Sequence, residues 1–389
     1  MNEKIQLCSD IIDGEDLTLL TQWLSSVPRL TKGDQTINFE NKFANFLECN
    51  HAIYCNSGSS ANLLITSALY QSGKLKNNKI IVPQISWSTT IFPVMQLGLQ
   101  PILCDCDKDN LGLDVEYLKK LILKEQPSAI ILVHVLGFDS SIKEIVNICN
   151  DNNILIIEDT CESLGSQVDN KYLGTFGLAS SFSFYFGHHI STIEGGMVCT
   201  NDKDFADIVK MIRSHGWDRD LDKETRDKYR RENNISGIDS LYTFYYSGFN
   251  LRSTDLQAFL GTNQINKLEK IISSRQDNFE SYKRFLDNKL WKPKLTNSQN
   301  VVSNMGYPLI LKNRDEVYQQ LNRNNIECRP LISGSMGLQP AWIKTYGECR
   351  MPNADIIDKY GMYLPNHQDL TVDHIERICK IVNQAAQAK

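Results

Sequence analysis

The chain has 389 residues and a formal net charge of −5. A chain of this length accommodates one large and one smaller domain that share a cleft. The slight acidic excess argues against a general nucleic-acid binder, since binding to a phosphate backbone needs a surplus of Lys and Arg on one face. We therefore expect any phosphorylated partner to be a small molecule.

The apolar runs and the first residues bear on the location of the protein. Runs such as residues 129–133 are far shorter than a membrane-spanning helix. The chain begins with Met-Asn-Glu-Lys, which lacks the basic and then apolar start of a secretion signal. The sequence therefore predicts a cytoplasmic protein without a membrane partner.

The sequence contains 11 cysteines, an odd number scattered along the chain. Cys55, Cys149 and Cys199 lie inside apolar stretches and are predicted to be buried free thiols. Cys104 and Cys106 have no second pair at a zinc-finger spacing, so we interpret them as a structural strand end. The sequence predicts no metal site.

Apolar strands alternate with amphipathic helices along most of the chain. Helices are predicted near residues 5–26, 39–46, 61–70, 115–123 and 256–276, and strands near 52–55, 79–83, 101–104, 129–135, 154–157, 307–311 and 326–329. This alternation predicts an α/β fold with a mainly parallel sheet between helices. A second, smaller α/β domain is expected at the C-terminus, over residues 255–389.

A tight polar turn, Asn-Ser-Gly-Ser-Ser at residues 56–60, separates the first predicted strand from its helix. Such a turn suits a helix N-cap, which is the preferred interpretation from this pattern alone. The free amides at a helix start also form a ready anion site. Both interpretations therefore remain open at this point.

A carboxylate, Asp159, follows directly after the buried strand predicted at residues 154–157. A carboxylate at the end of a buried parallel strand is costly unless it is paired. The position therefore predicts a cationic partner in a cleft.

The chain is organised around the stretch near Gly187, where an alternation of Phe182, Phe184 and Phe186 breaks and two histidines follow. The pattern predicts a strand, a turn and a second strand. Neighbouring residues of an extended segment cannot both point into one pocket, so at most one of the two histidines is expected to be chemical. A His-His pair alone is more often structural or solvent-facing.

Residues 181–196 resemble the signature of the DegT/DnrJ/EryC1/StrS family of sugar aminotransferases. In that family, a serine-bearing strand leads to a lysine that holds pyridoxal phosphate (PLP), and Glu-Gly-Gly follows. The motif here ends in Glu194-Gly195-Gly196, and His188 occupies the lysine position. The resemblance covers nearly the whole chain. It implies an aspartate-aminotransferase-like fold (fold type I), with an N-terminal arm and a large cofactor-binding domain over residues 1–254.

The resemblance also implies a set of cofactor-binding residues. Gly58 and Ser59 match the phosphate cradle, Trp87 an aromatic residue that stacks on the pyridine ring, and Asp159 the partner of the ring nitrogen. A lone Trp such as Trp87 is otherwise most often a core residue. The positions implied to bind the cofactor are Gly58, Ser59, Trp87, Asp159, Glu162, Ser183 and Asn250. In the family this asparagine comes from a neighbouring subunit, so the resemblance implies a homodimer with a shared active site.

A second set of positions matches residues near the substrate in the dehydratase branch of the family. These positions are His215, Arg219, Arg252 and Arg329, and their basic groups suit a nucleotide diphosphate. Arg329 could equally be a surface cation. The charged segment at residues 220–234 is interpreted as a solvated lid or helix.

The histidine at position 188 changes the chemistry that the resemblance implies. An imidazole can shuttle protons, but it cannot replace an amine that binds the cofactor covalently. PLP would then be held non-covalently, and L-glutamate would convert it to pyridoxamine phosphate (PMP). The resemblance implies C3 dehydration of a GDP-linked 4-keto-6-deoxymannose or the related heptose, with His188 as the base and ammonia released. Such a step belongs to 3,6-dideoxy sugar synthesis for surface polysaccharide.

Three alternative functions would need different residues. A related branch of dehydratases uses an iron–sulfur cluster, which needs grouped cysteines, and residues 218–221 contain none. An ordinary amino-group transfer to a sugar would need lysine at position 188. A catalytically silent protein that only binds a sugar nucleotide would have little reason to keep the whole set of implied cofactor residues Ser59, Trp87, Asp159, Ser183 and Asn250.

Overall fold

A computed structural model describes residues 3–297 and 299–387. Their strands are β1 His51–Cys55, β2 Lys79–Pro83, β3 Gln100–Cys104, β4 Ala129–Val133, β5 Leu155–Asp159, β6 Gln167–Val168, β7 Lys171–Tyr172, β8 Ala179–Ser183, β9 Gly196–Thr200, β10 Gly306–Ile310, β11 Arg329–Pro330 and β12 Gly361–Pro365. Their helices are α1 Gly14–Ser25, α2 Asp34–Leu47, α3 Gly58–Gln71, α4 Ser88–Gln96, α5 Val115–Glu125, α6 Ile142–Asp151, α7 Lys203–Arg213, α8 Lys223–Glu232, α9 Asp255–Ile265, α10 Leu268–Phe285, α11 Arg314–Arg323, α12 Pro340–Tyr346, α13 Pro352–Tyr360 and α14 Val372–Gln387.

A seven-stranded sheet in the order β1-β9-β8-β5-β4-β2-β3 is built from strands between residues 51 and 200. The pairs from β8 to β3 are parallel, whereas β9 runs antiparallel to both β1 and β8. Every residue of β4 is buried, as expected when helices cover both faces of a parallel sheet. The prediction of an α/β fold with a mainly parallel sheet is confirmed.

A three-stranded antiparallel sheet, β10-β12-β11, lies in the C-terminal part of the chain, by which we mean the residues from α10 onwards. Helices α10, α11 and α14 pack together beside it. Helix α9, which follows residue 254, packs instead against α1 and α2. Phe259 of α9 stacks on Trp23 of α1 with ring centroids 4.9 Å apart. The boundary between residues 1–254 and 255–389 stays a prediction.

The prediction of a helix from residue 5 was wrong in its first half, because α1 begins only at Gly14. The Asp13 side chain caps α1 by accepting hydrogen bonds from the amides of Glu15 and Asp16. Ile5 instead forms a parallel bridge with Ile326, which buries it without a helix. The N-terminal arm is thereby tied to the C-terminal part.

Two other predicted boundaries also shifted. The helix expected over residues 256–276 is interrupted between α9 and α10, where Lys267 binds the carboxylates of Asp13 and Asp16. Strand β8 ends at Ser183, so the alternation does not continue and Phe186 is exposed.

The structure bears on the thiols, the charged segment and membrane association. All 11 cysteines are free, and Cys55, Cys149 and Cys199 are buried as predicted. Helix α8 forms most of the charged segment and buries none of its residues. Among the described residues, no helix combines the length and apolar character needed to cross a membrane.

Candidate active site

The carboxyl ends of β1, β5 and β8 meet at one edge of the large sheet. Asp159 at the end of β5 pairs in register with Ser181 on β8. Ser183 at the end of β8 pairs with Gly196 of β9, which also pairs with Cys55 of β1. Ligands of open α/β sheets bind at this kind of edge.

Close packing at this edge requires the two glycines of the Glu-Gly-Gly motif. A Cβ atom at Gly196 would lie 2.2 Å from the carbonyl oxygen of Ser57 and 2.6 Å from the amide nitrogen of Gly58. A Cβ atom at Gly195 would lie 2.7 Å from the hydroxyl of Tyr54. The motif therefore lets the start of β9 lie directly against the start of α3.

The N-terminus of α3 is the place where the family resemblance implies a phosphate cradle, and this role stays a prediction. Ser57 is the N-cap and accepts a hydrogen bond from the Ser60 amide at 3.0 Å. The amides of Gly58 and Ser59 are at the first helical positions, where no intrahelical acceptor is available. The Ser59 hydroxyl donates to the Thr89 hydroxyl at 3.0 Å. Free amides and hydroxyls at a helix N-terminus can bind a phosphate.

Asp159 is buried and accepts hydrogen bonds from neutral donors. Its Oδ2 accepts from Asn62 Nδ2 at 2.8 Å and from Thr90 Oγ1 at 2.7 Å. Its Oδ1 accepts from the Cys161 amide at 3.2 Å. In the part of the chain that the structure describes, no lysine or arginine forms an ion pair with Asp159. The carboxylate is thus positioned for a cation that the chain itself does not provide.

Glu162 lies close to Asp159 but in a different electrostatic state. Burial raises the pKa of Glu162 to about 8, and the charge of Asp159 acts in the same direction. The amide of Leu136, which donates to Glu162 Oε2 at 2.8 Å, opposes the shift. At neutral pH, Glu162 is therefore mostly protonated and can donate a hydrogen bond.

We predict that replacing Glu162 with glutamine removes a pH dependence of stability. Since folding raises the pKa of Glu162, its contribution is complete below the unfolded value of 4.5 and is lost as pH rises towards 8. Between pH 6 and 8 this loss amounts to about 2 kcal/mol for the wild-type apoprotein. Urea unfolding of both proteins at the two pH values measures the difference. Equal slopes with pH would contradict the prediction.

The two adjacent histidines lie in different surroundings. His188 is partly buried in the turn after β8, whereas His189 is fully buried and its Nε2 contacts the Ser303 carbonyl at 2.8 Å. Burial lowers the pKa of His188 to about 4; Asp159 opposes this shift and Arg275 adds to it. His188 is therefore a neutral imidazole at physiological pH, as a proton acceptor must be.

Trp87 and Ser183, two of the positions implied to bind the cofactor, differ in their surroundings. Trp87 precedes α4, and 57% of its surface is exposed. Ser183 is partly buried, and a Cβ atom at Gly58 would lie 2.5 Å from its own Cβ. Ser183 therefore lies directly beside the cradle at the start of α3. An exposed indole on a rigid helix start is available to stack on a planar ring.

The predicted residues around position 250 form a separate cluster. Arg252 Nη2 lies 3.4 Å from His215 Nε2, and Arg252 Nε donates to Asn250 Oδ1 at 3.0 Å. The guanidinium of Arg219 lies 4.0 Å from the ring centroid of Trp217, whose ring contacts that of His215. Arg252 forms a backbone bridge with the end of β1, so the cluster lies next to the start of α3.

Arg329 approaches the site from the C-terminal part. It is exposed on β11 and pairs in register with Tyr363 of β12. Burial raises the pKa of Tyr363, the charge of Glu162 adds to this shift, and Arg329 opposes it. The charges of Glu162 and Arg329 both act on Tyr363, and a role of Arg329 at the site stays a prediction.

Three contributors were not predicted from the sequence. Asn62 and Thr90 hold the carboxylate of Asp159, and Arg275 donates to the His188 carbonyl. The only available signal was the placement of Asn62 and Thr90 three residues after Ser59 and Trp87, on the same helical faces.

Comparison with known proteins identifies the family. The model of the DegT/DnrJ/EryC1/StrS aminotransferase family matches residues 10–383. The chain belongs to this family. The GDP-4-keto-6-deoxy-D-mannose 3-dehydratase of Yersinia pseudotuberculosis is 33% identical over 392 residues, which cover 97% of this chain and 97% of that relative. The prediction of the family from residues 181–196 is confirmed.

Solved structures of family members share the fold. The Escherichia coli GDP-4-keto-6-deoxy-D-mannose 3-dehydratase with bound hydrated PLP has a TM-score of 0.90 and 31% identity, over 98% of this chain and 100% of that chain. The structure of a GDP-4-keto-6-deoxymannose 3-dehydratase with a trapped PLP-glutamate geminal diamine has a TM-score of 0.88 and 32% identity, over 97% and 100%. The prediction of a PLP aminotransferase fold is confirmed.

Proposed function

We propose that the protein is a 3-dehydratase that removes the C3 hydroxyl of a nucleotide-linked 4-keto-6-deoxy sugar. GDP-4-keto-6-deoxymannose or the related heptose is the proposed substrate, in the synthesis of a 3,6-dideoxy sugar for surface polysaccharide. One observation supports this proposal best. His188 occupies the position of the family's lysine and is a neutral imidazole, while the nearby Asp159 is retained.

PLP is the cofactor and glutamate its amino donor, in agreement with the relatives solved with PLP and with a PLP-glutamate adduct. The residues present fit this group. Asp159 is a buried carboxylate without a cationic partner among the described residues, which suits a protonated pyridine nitrogen. The free amides of Gly58 and Ser59 suit the phosphate. Because residue 188 is not a lysine, its side chain cannot form a covalent bond with the cofactor, which would be held non-covalently.

When bound, PLP in its PMP form supplies an amine that condenses with the C4 ketone and a ring that accepts electrons. Asp159 stabilises the protonated ring nitrogen, with Asn62 and Thr90 holding the carboxylate in place. Trp87 would stack on one face of the ring, and protonated Glu162 would be able to donate a hydrogen bond to the cofactor.

His188 is proposed as the general base, and its imidazole would accept a proton during the elimination. Its low pKa keeps the imidazole unprotonated before this step. Because residue 188 is not a lysine, no amine at this position would compete for the cofactor. The net reaction converts glutamate and the 4-keto sugar into 2-oxoglutarate, ammonia and the 3-deoxy sugar.

We propose two roles for the cluster around position 250. Its basic side chains would bind the nucleotide diphosphate of the substrate, and these are His215, Arg219 and Arg252. Asn250 would contact the cofactor phosphate in a neighbouring subunit. These side chains lie at the surface beside exposed aromatic residues, including Tyr242 and Phe244. Exposed apolar side chains around basic groups suit a homodimer with a shared active site. Arg329 is proposed to contact the substrate from the opposite side.

The proposal is tested by incubating the protein with PLP, glutamate and either GDP-4-keto-6-deoxymannose, the corresponding heptose or a CDP-linked 4-keto-6-deoxy sugar. We expect ammonia and a product whose mass corresponds to a 3-deoxy sugar with a GDP-linked substrate. A stable 4-amino sugar without ammonia would indicate an aminotransferase instead. Binding of GDP-sugars without any turnover would indicate a protein that has lost catalysis.

A further inference from the structure

Arg275 of α10 is one of the largest side chains that the structure buries completely, with 1% of its surface exposed. Its Nη1 donates to the carbonyl oxygens of Asn304 and Met305, each at 3.3 Å, and to that of Asn366. Its Nη2 donates to the carbonyl of His188 at 3.3 Å. One guanidinium thus joins two segments of the C-terminal part, at residues 304–305 and at Asn366, to the turn that carries the proposed base.

The partners of Arg275 are unusual for a buried cation. No carboxylate of the described residues pairs with it, and burial lowers the pKa of Arg275 to about 10. Arg213, which is equally buried, instead binds Glu40 at 2.7 Å and Asp220 at 2.9 Å. A cation without a counter-ion costs stability, so a purely structural bridge would be better served by a neutral side chain.

The hydrogen bond to His188 fixes one end of a tight turn. The amide of His188 donates to the carbonyl of Tyr185 at 3.0 Å, which fixes the other end. With both of its backbone groups bonded, His188 can change direction only by rotating its side chain. We propose that Arg275 is a positioning residue that holds His188 in place for proton transfer, an inference that rests on the proposed role of His188.

The charge of Arg275 supports this role. The charged and titratable groups that act on the imidazole are Asp159 after β5, Arg275 on α10 and the neighbouring His189, and the backbone of Cys161 also contacts it. Cys8 of the N-terminal arm approaches the same turn, 3.8 Å from a Cβ atom at Gly187. Asp159 favours the protonated imidazole and Arg275 the neutral one. Arg275 therefore opposes the effect of Asp159, the proposed partner of the cofactor ring, on the pKa of His188.

The test compares Arg275→Met and Arg275→Lys with Asn278→Ala. Asn278 lies on the same helix and donates to the His367 carbonyl at 2.9 Å, without contacting His188. The first readout is the pKa of His188 in the apoprotein, from NMR titration of imidazole signals assigned by their loss in His188→Asn. We expect Arg275→Met to raise this pKa by about one unit, and Asn278→Ala to leave it unchanged.

The second readout is the kinetics of the enzyme with PLP. Arg275→Met is expected to lower kcat about 100-fold, with KM for the sugar nucleotide little changed. Arg275→Lys keeps the positive charge but not the planar set of donors of the guanidinium. It should therefore leave the pKa of His188 unchanged and lower kcat more than Asn278→Ala does. If Arg275→Met does not fold, the comparison of kcat between Arg275→Lys and Asn278→Ala tests the positioning role.

The inference is overturned if Arg275→Met leaves the pKa of His188 unchanged, or if neither variant loses more kcat than Asn278→Ala. Failure of the proposed function is recognised separately. In that case the wild-type protein would not dehydrate any of the sugars tested, while the NMR titration of the apoprotein would still report whether Arg275 acts on His188.

Discussion

Replacing His188 with asparagine is expected to lower the rate of C3 dehydration by about 10²–10⁴-fold, the usual contribution of a general base. Asparagine has a similar size but cannot accept the proton. PLP should still bind, because the proposed contacts of its phosphate and ring nitrogen come from α3 and from Asp159. Turnover and PLP absorbance, measured on the same samples, separate the two effects.

His374→Asn is the matched control for this variant. His374 lies at the start of α14, where it contacts Glu3 and Thr371. Its replacement should leave turnover unchanged. A fully active His188→Asn protein would show that another group removes the proton. His188→Lys is expected to bind PLP covalently, which is detected as an absorbance band that borohydride removes.

Replacing Asp159 with asparagine is expected to lower kcat/KM by about 10²–10³-fold, because a neutral amide cannot stabilise a protonated ring nitrogen. The stability of the apoprotein should change less. Asp159 is a buried carboxylate without a cationic partner among the described residues, so its replacement should cost less stability than the loss of a buried carboxylate that is ion-paired.

Asp207→Asn provides a control with the opposite expected pattern. Asp207 is equally buried, but it pairs with Lys203 at 2.8 Å and with Lys210 at 3.1 Å. Its replacement should destabilise the protein while kcat/KM stays near the wild-type value. Thermal unfolding and steady-state kinetics of both variants provide the comparison. An Asp159→Asn protein that is active, or that is less stable than Asp207→Asn, would contradict the assignment.

The sequence predicted the local elements around the site. The strand, the polar turn and the helix around residues 56–60 adjoin in the chain, whereas the cradle role of Gly58 and Ser59 was implied by the family resemblance and stays a prediction. Asp159 follows from its place at the end of a buried strand. Such features depend on few neighbours, so a single stretch of sequence identifies them.

The parts that were missed depend on contacts between distant segments. Ile5 was placed in a helix, because its pairing with Ile326 is a tertiary contact that periodicity cannot reveal. Arg275 looks like an ordinary polar residue of an amphipathic helix, and only the fold brings it to the carbonyl of His188. The electrostatic state of Glu162 likewise follows from burial, which a linear pattern does not determine.

We propose that a histidine at the lysine position redirects an aminotransferase site from donating nitrogen to removing oxygen. Following ¹⁵N-labelled glutamate with PLP and GDP-4-keto-6-deoxymannose distinguishes the two outcomes. We predict that the label leaves as ammonium, in a one-to-one ratio with an unlabelled 3-deoxy keto sugar. Recovery of the label on C4 of a sugar that keeps its C3 hydroxyl would contradict the claim.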